Sequence, residues 1–209
     1  MPTFNRRAFI PAAIDCFLGQ TYEPRELLVV DDGPSVQDLI PDDPRIRYIR
    51  LPVKMITGQK RNRCCELAAG DIFCHFDDDD WSAPDRIEHQ VKLLKDSGLP
   101  ITGYGRLYFW DTVTKQAKFY KTNNQGYVCG TSFCFLKSYW QKHPFPDKQR
   151  ASDNGWIYPA LNKKLVAASN DASHMVARLH DQHTSSKKNI RTVCSRDLLP
   201  KGFWADEER

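Results

Sequence analysis

The sequence predicts an α/β protein: a mostly parallel open sheet flanked by helices, followed by a smaller mixed or antiparallel portion. Two observations carry that expectation. Short apolar runs alternate with helically spaced segments through the first hundred or so residues. The run Leu27-Leu28-Val29-Val30 is continuously apolar, the pattern of a strand buried on both faces of a parallel sheet. A third observation points to function: the strand carrying Ile72, Phe73, Cys74 and Phe76 ends in four consecutive aspartates, Asp77, Asp78, Asp79 and Asp80. Ligands of open parallel sheets gather at the carboxyl ends of the strands.

Taken in order, residues 1–4 read as the end of a first strand, closed by a polar turn at Asn5 and Arg6. Phe9, Ile10, Ala13, Ile14, Phe17 and Leu18 recur at helical spacing, with Pro11 in the first turn, where its missing N–H is tolerated. The strand over residues 27–30 stops at Asp31-Asp32-Gly33, and a helix or turn over residues 36–40 leads to a strand over 46–51. Residues 57–69 form a helix with Lys60, Arg61 and Arg63 near its start, closed by Gly70. Behind the aspartates, Ser82 and Pro84 start a helix that holds Ile87, Val91 and Leu94 on one face and stops at Gly98. In the second half, residues 106–110 and 118–121 resemble a hairpin, and 128–136 a further strand. Residues 151–161 form a short helix opened by Ser152 and Asp153, and residues 174–179 a last strand. Beyond Ser185 the chain is basic, then mixed, and no element is assigned.

With 209 residues, 41% hydrophobic and 27% charged, the chain can bury one good-sized core. Its net charge of +4 is too mild to argue for nucleic acid and is compatible with an anionic small ligand. No apolar run approaches the roughly 20 residues that span a bilayer, and no signal-peptide core is visible at the N-terminus. The chain therefore reads as cytoplasmic, with peripheral membrane association left open. The seven cysteines show no C-x-x-C spacing and lie mostly in apolar stretches, which suits reduced thiols better than disulfides or zinc. No repeat or low-complexity segment is present.

Four neighbouring carboxylates repel one another unless a cation sits among them. In an extended segment Asp77 and Asp79 would share one face, and Asp78 and Asp80 the other. A D-x-D pair at a strand end suits a hard divalent ion such as Mg2+ or Mn2+, which takes carboxylate and phosphate oxygens. The plainer alternative is a solvated acidic turn that caps the next helix.

Several separated features in order resemble glycosyltransferase family 2, whose catalytic domain has the Rossmann-like GT-A fold. They are Pro2-Thr3-Phe4-Asn5-Arg6, Val29-Val30-Asp31-Asp32-Gly33, Gln59-Lys60-Arg61-Asn62, the four aspartates, Ser152-Asp153 and Arg178-Leu179-His180. The resemblance covers residues 1–185 as one catalytic domain, with a nucleotide-sugar half (1–100) and an acceptor half (101–185), and leaves 186–209 as a tail. It implies an inverting, metal-dependent transferase with a nucleotide-sugar donor of the uridine diphosphate type, a saccharide or other hydroxyl-bearing acceptor, and Mn2+ or Mg2+ as cofactor.

Position by position, the resemblance puts Thr3, Phe4 and Arg6 around the base, with Asp31 or Asp32 accepting a hydrogen bond from it. Arg61 falls near the base or diphosphate, and Asp77 and Asp78 with the nucleotide sugar, Asp77 toward the ribose. Asp79 faces the metal, with Asp80 as the alternative register, and His180 faces the metal or diphosphate, with His183 competing. Asp153 aligns with the general base, although Ser152 stands where relatives usually carry glutamate. Physical chemistry allows each role: an aromatic face stacks on a base, a guanidinium forks onto phosphate, and a carboxylate accepts protons. Core packing for Phe4, a solvated face for Arg61 and helix capping for Asp153 are the structural alternatives. Trp81, Trp110, Tyr127 and Trp156 either floor an acceptor site or pack the core. The family's first strand carries several apolar residues ahead of the Met1 position, which this sequence lacks.

Other classes fit less well. A sugar nucleotidyltransferase calls for a Gly-rich phosphate loop after the first strand, where only Asn5-Arg6-Arg7 stands. A haloacid-dehalogenase-like phosphatase needs D-x-D-x-T, but Trp81 follows Asp80. A non-catalytic nucleotide-sugar binding module is the remaining alternative.

Overall fold

The computed structural model describes residues 1–124, 126–181 and 192–207. Its strands are β1 (Pro2–Thr3), β2 (Leu27–Asp31), β3 (Ile46–Arg50), β4 (Ile72–Cys74), β5 (Trp81–Ser82) and β6 (Ile101–Tyr104). They continue with β7 (Arg106–Asp111), β8 (Gln116–Lys121), β9 (Cys134–Leu136), β10 (Val166–Ser169), β11 (Met175–Leu179) and β12 (Thr192–Val193). The helices are α1 (Ile10–Leu18), α2 (Thr57–Leu67), α3 (Arg86–Ser97), α4 (Lys137–Lys142), α5 (Ser152–Asn162) and α6 (Lys201–Glu207).

The α/β class holds, but the strands fall into three sheets rather than one. The first, β1-β2-β3, is wholly parallel, and all five residues of β2 are buried, as its unbroken apolar run requires. The second, β10-β6-β9-β4, mixes a parallel β10–β6 pair with β9 running antiparallel to both neighbours. The third, β12-β8-β7-β11-β5, contains the expected β7–β8 hairpin. Helix α1 buries Ile10, Ala13, Ile14 and Phe17, and α3 ends at Gly98 in the left-handed conformation (φ 65°) that a helix C-cap favours.

β1 and β4 each form the edge of their sheet. A cavity of about 670 Å³, lined by Met1, Leu27, Leu28, Ile72, Phe73 and Cys74 among others, separates them. The α-ammonium of Met1 sits at this gap and donates to the Leu28 carbonyl (2.8 Å).

One expectation needs correction, and one open alternative is decided. The strand expected over residues 128–136 is confined to Cys134–Leu136, because Gly130–Ser132 leaves the sheet as a 3-10 turn. That turn is fixed by the Ser132 hydroxyl, which donates to the Cys129 carbonyl (2.7 Å) and accepts from the Tyr104 amide (2.8 Å). Trp81, Trp110 and Trp156 are core residues, each no more than 5% exposed, and floor no open surface; Tyr127 is half-buried.

Where the sequence suggested only a tail, β12 and α6 form. Phe203 of α6 is fully buried against Trp81 and Trp110, at centroid distances of 6.1 and 6.3 Å. Burial of one such ring is worth about 1.5–3 kcal/mol. Periodicity does not signal a seven-residue helix with a single buried anchor.

Candidate active site

The carboxyl ends of β1, β2 and β4 converge, as the open-sheet rule predicts. After β1, Asn5 takes a left-handed conformation (φ 52°), which asparagine tolerates, and the chain turns back. A Cβ on Gly33 would lie 2.9 Å from the Asn5 amide nitrogen, so glycine there permits the two strand ends to approach. Lys60 of α2 ties them together, donating to the Thr3 carbonyl (3.1 Å) and pairing with Asp32. The second Asp32 oxygen accepts from the Met55 amide (2.7 Å). Asp31 is fully buried, accepting from the Gly33 amide and the Tyr48 hydroxyl at 2.8 Å each. Phe4 is exposed, with the Lys54 ammonium 3.7 Å from its ring centroid.

The chain turns at Asp78 and Asp79 instead of running extended, which breaks the expected alternation of faces. Asp80 therefore joins Asp77 and Asp79: each offers an oxygen, and these atoms lie within 4.8 Å of one another. Arg6, expected beside a base, donates from one nitrogen to Asp78 (2.8 Å) and Asp79 (2.7 Å). Burial raises the Asp78 carboxyl to about 6, against the opposing pull of Arg6. His180 Nε2 lies 2.9 Å from Asp79 Oδ2, and its ring packs on Phe9 at 4.5 Å. Asp80 accepts from the Arg178 amide (3.0 Å) and from the Thr131 hydroxyl. His183 lies outside the described residues.

Asp153 stands in the first turn of α5, behind Ala151, whose left-handed conformation (φ 57°) is strained for a residue with a Cβ. Its carboxylate, about a third exposed, pairs with the buried guanidinium of Arg61, which also donates to the Ser152 hydroxyl (3.2 Å). Burial lowers the Arg61 pKa, with the charge of Asp77 opposing the shift. Arg61 is thus a buried cation between the acidic cluster and Asp153, and no solvated helix face. The turn Gly130–Ser132 joins the two centres: Thr131 holds Asp80, and a Cβ on Gly130 would lie 2.3 Å from Asp153 Oδ2. Behind the turn, His75 Nδ1 donates to the Gly130 carbonyl (2.8 Å); burial, then the charge of Arg61, holds His75 well below the ordinary imidazole range.

The sequence-predicted residues thus gather at two linked points. Arg6, Asp77, Asp78, Asp79, Asp80 and His180 form the acidic cluster, with Thr3, Asp31 and Asp32 at the adjoining strand ends. Arg61 and Asp153 form the second point. Sequence reasoning missed the Lys60 bridge, the Thr131 hydroxyl, the Gly130 seat and the Arg178 amide. Lys60 and Arg178 stand within the motifs Gln59-Lys60-Arg61-Asn62 and Arg178-Leu179-His180, whereas no motif marks Thr131 or Gly130.

The three acids fit a hard divalent cation: they supply only oxygen donors, two of them are buried, and all approach one another closely. Among the described residues no helix is long and apolar enough to cross a membrane.

The family model described as "Glycosyl transferase family 2" matches residues 1–157. An uncharacterized glycosyltransferase of Haemophilus influenzae is 28% identical over 131 residues, covering 60% of this chain and 52% of that protein. The chain thus spans about half the length of that relative. Among solved structures, Staphylococcus aureus TarS 1-349 in complex with UDP-GlcNAc superposes with TM-score 0.65 at 14% identity, covering 88% of this chain and 59% of that one. The mannosyltransferase PcManGT from Pyrobaculum calidifontis, in complex with GDP-Man and Mn2+, gives TM-score 0.65 at 16% identity, covering 90% of this chain and 56% of that one. At these identities the structural matches establish the fold.

Proposed function

Because the chain belongs to glycosyltransferase family 2, we propose that it is an inverting, metal-dependent glycosyltransferase that moves a sugar from a uridine diphosphate-linked donor to an acceptor hydroxyl. The observation that carries this reading is the pairing of two centres: an acidic triad with Arg6 and His180 on one side, and Asp153 across the turn at Gly130–Ser132 on the other. Residues 1–100 serve the donor and 101–185 the acceptor.

On the donor side, Thr3, Phe4, Arg6, Asp31, Asp32, Arg61, Asp77 and Asp78 form the nucleotide-sugar site. The exposed ring of Phe4 offers a stacking face, and the carboxylates of Asp31 and Asp32 lie buried at the adjoining strand ends. Asp79 and Asp80, with His180 and with Asp77 completing the triad, hold Mn2+ or Mg2+. When bound, the ion supplies Lewis-acid neutralisation of the diphosphate leaving group. Arg6 and Arg61 add positive charge on the same side, where negative charge accumulates as the sugar–phosphate bond breaks.

On the acceptor side, Asp153 takes the hydroxyl proton as the oxygen attacks the anomeric carbon. The bond from that carbon to the diphosphate oxygen breaks, and the nucleoside diphosphate departs. TarS and PcManGT are solved with UDP-GlcNAc and with GDP-Man, and that pair motivates comparing uridine with guanosine diphosphate. The test is calorimetric titration with each nucleotide across Mn2+ concentrations: the expected result is Mn2+-dependent binding with uridine diphosphate preferred. Folded protein that binds no nucleotide at any Mn2+ concentration refutes the proposal.

A further inference from the structure

We infer that α6 braces the acidic site, with Arg178 as the positioning residue through which it fixes Asp79 and Asp80; the inference rests on the proposed reading of that site as metal-dependent.

Arg178 lies in β11 beside Trp110 of β7, its register partner. Its buried guanidinium donates to Asp206 (2.9 Å) and Glu207 (2.9 Å) of α6. The other oxygen of Glu207 accepts from the Trp110 indole N–H (2.8 Å), so one carboxylate spans two adjacent strands. The same Arg178 reaches the acids from both ends: its amide donates to the Asp80 carboxylate (3.0 Å), and its guanidinium points at the Asp79 carbonyl (3.4 Å). Phe203 of α6, over whose ring the Arg178 guanidinium lies at 5.3 Å, packs edge-on against Trp81, the residue after Asp80. Gly202 approaches Trp81 so closely that a Cβ there would sit 3.1 Å from the indole. Both the covalent neighbour of Asp80 and its hydrogen-bonding neighbour therefore lean on α6.

A seven-residue helix is too short to form alone, so α6 is held by the surface it covers. The dependence runs the other way too. A guanidinium anchored by two carboxylates has one geometry, and it transmits that geometry to a backbone segment that has turned out of extended structure at Asp78 and Asp79. Groups that orient metal ligands without touching the metal typically contribute about 10–100-fold in metal affinity.

The experiment uses the full chain with Glu207→Gln and, separately, Arg178→Lys, which keeps the charge and loses the fork. Two readouts are taken: Mn2+ binding by calorimetry without nucleotide, and amide hydrogen exchange of the metal-free protein. The expected result is Mn2+ affinity weakened about 10–100-fold, with faster exchange confined to residues 78–82 and 176–180. Unchanged affinity together with unchanged exchange at those residues in both variants overturns the brace. Faster exchange spread evenly over the chain also overturns it, because α6 is then a general stabiliser. If wild-type protein binds no Mn2+ while the variants still loosen residues 78–82, the metal reading fails and the brace stands.

Discussion

Replacing Asp153 with asparagine separates the proposed proton transfer from everything else the site does. The substitution keeps shape and leaves an oxygen that can accept from Arg61, but it removes the group able to take a proton. The structural cost falls on Arg61. The Asp153 side chain is about a third exposed, so water screens part of the lost charge, but the buried Arg61 guanidinium loses its direct counter-ion and keeps the Ser152 hydroxyl and the field of Asp77. Breaking a fully buried pair costs about 3–5 kcal/mol, and the exposure of Asp153 with the retained amide oxygen brings the expected loss to about 1–3 kcal/mol. The chemical cost is larger: a positioned general base is worth roughly 100- to 10,000-fold, or about 2.7–5.4 kcal/mol on the barrier. Nucleotide release is followed with an acceptor preparation that supports wild-type transfer, and nucleotide affinity is measured by calorimetry on the same variant. The expected outcome is transfer reduced at least 100-fold with nucleotide affinity within about threefold of wild type. Transfer close to the wild-type rate would refute the base assignment and leave Asp153 as the ion-pair partner of Arg61.

Gly130→Ala is expected to displace Asp153, whose carboxylate oxygen would lie 2.3 Å from the new Cβ, and to reduce transfer while Mn2+-dependent nucleotide binding survives; unchanged transfer kinetics would contradict that seat. Stability should fall as pH drops below about 6.5, the ordinary imidazole value. Burial, then the stacked His174 at 4.0 Å, depresses the folded His89 pKa, so the unfolded chain takes the proton first. The groups facing this pair are Tyr104, Asp85 and Asp171, and thermal melts of His89→Gln from pH 7.5 to 5.5 should show a flatter pH dependence than wild type.

Much of this architecture was written locally. The unbroken run Leu27 to Val30 could only be a strand covered on both faces, and the spacing of Ile10, Ile14 and Phe17 could only suit a helix with one buried side. The acids were visible for a related reason, since like charges at adjacent positions are not assembled without a compensating cation. Their grouping was not visible. The alternation of an extended segment fails where the backbone turns, and that turn is held by Arg6, Thr131 and the Arg178 amide, which lie tens of residues away in sequence. The break in the expected strand at Gly130–Ser132 is partly local, since glycine weakens a strand interior, and the hydroxyl contacts of Ser132 hold the turn that results. Helix α6 escaped notice because it has one buried apolar anchor and no repeating stripe.

These long-range partners also explain why the two centres form a single site. The acids cannot relieve one another, so relief comes from Arg6 at the end of β1, His180 after β11 and Thr131 in the turn before β9. The last of these is the residue next to Gly130, whose missing side chain makes room for Asp153. Arg61 closes the loop from α2, paired with Asp153 and lying in the field of Asp77. A shift of that short turn therefore moves the support of an acid and the seat of Asp153 together. In a single displacement the leaving diphosphate and the attacking hydroxyl must be aligned through one anomeric carbon, and a common mount gives that alignment with less freedom than two independent loops would.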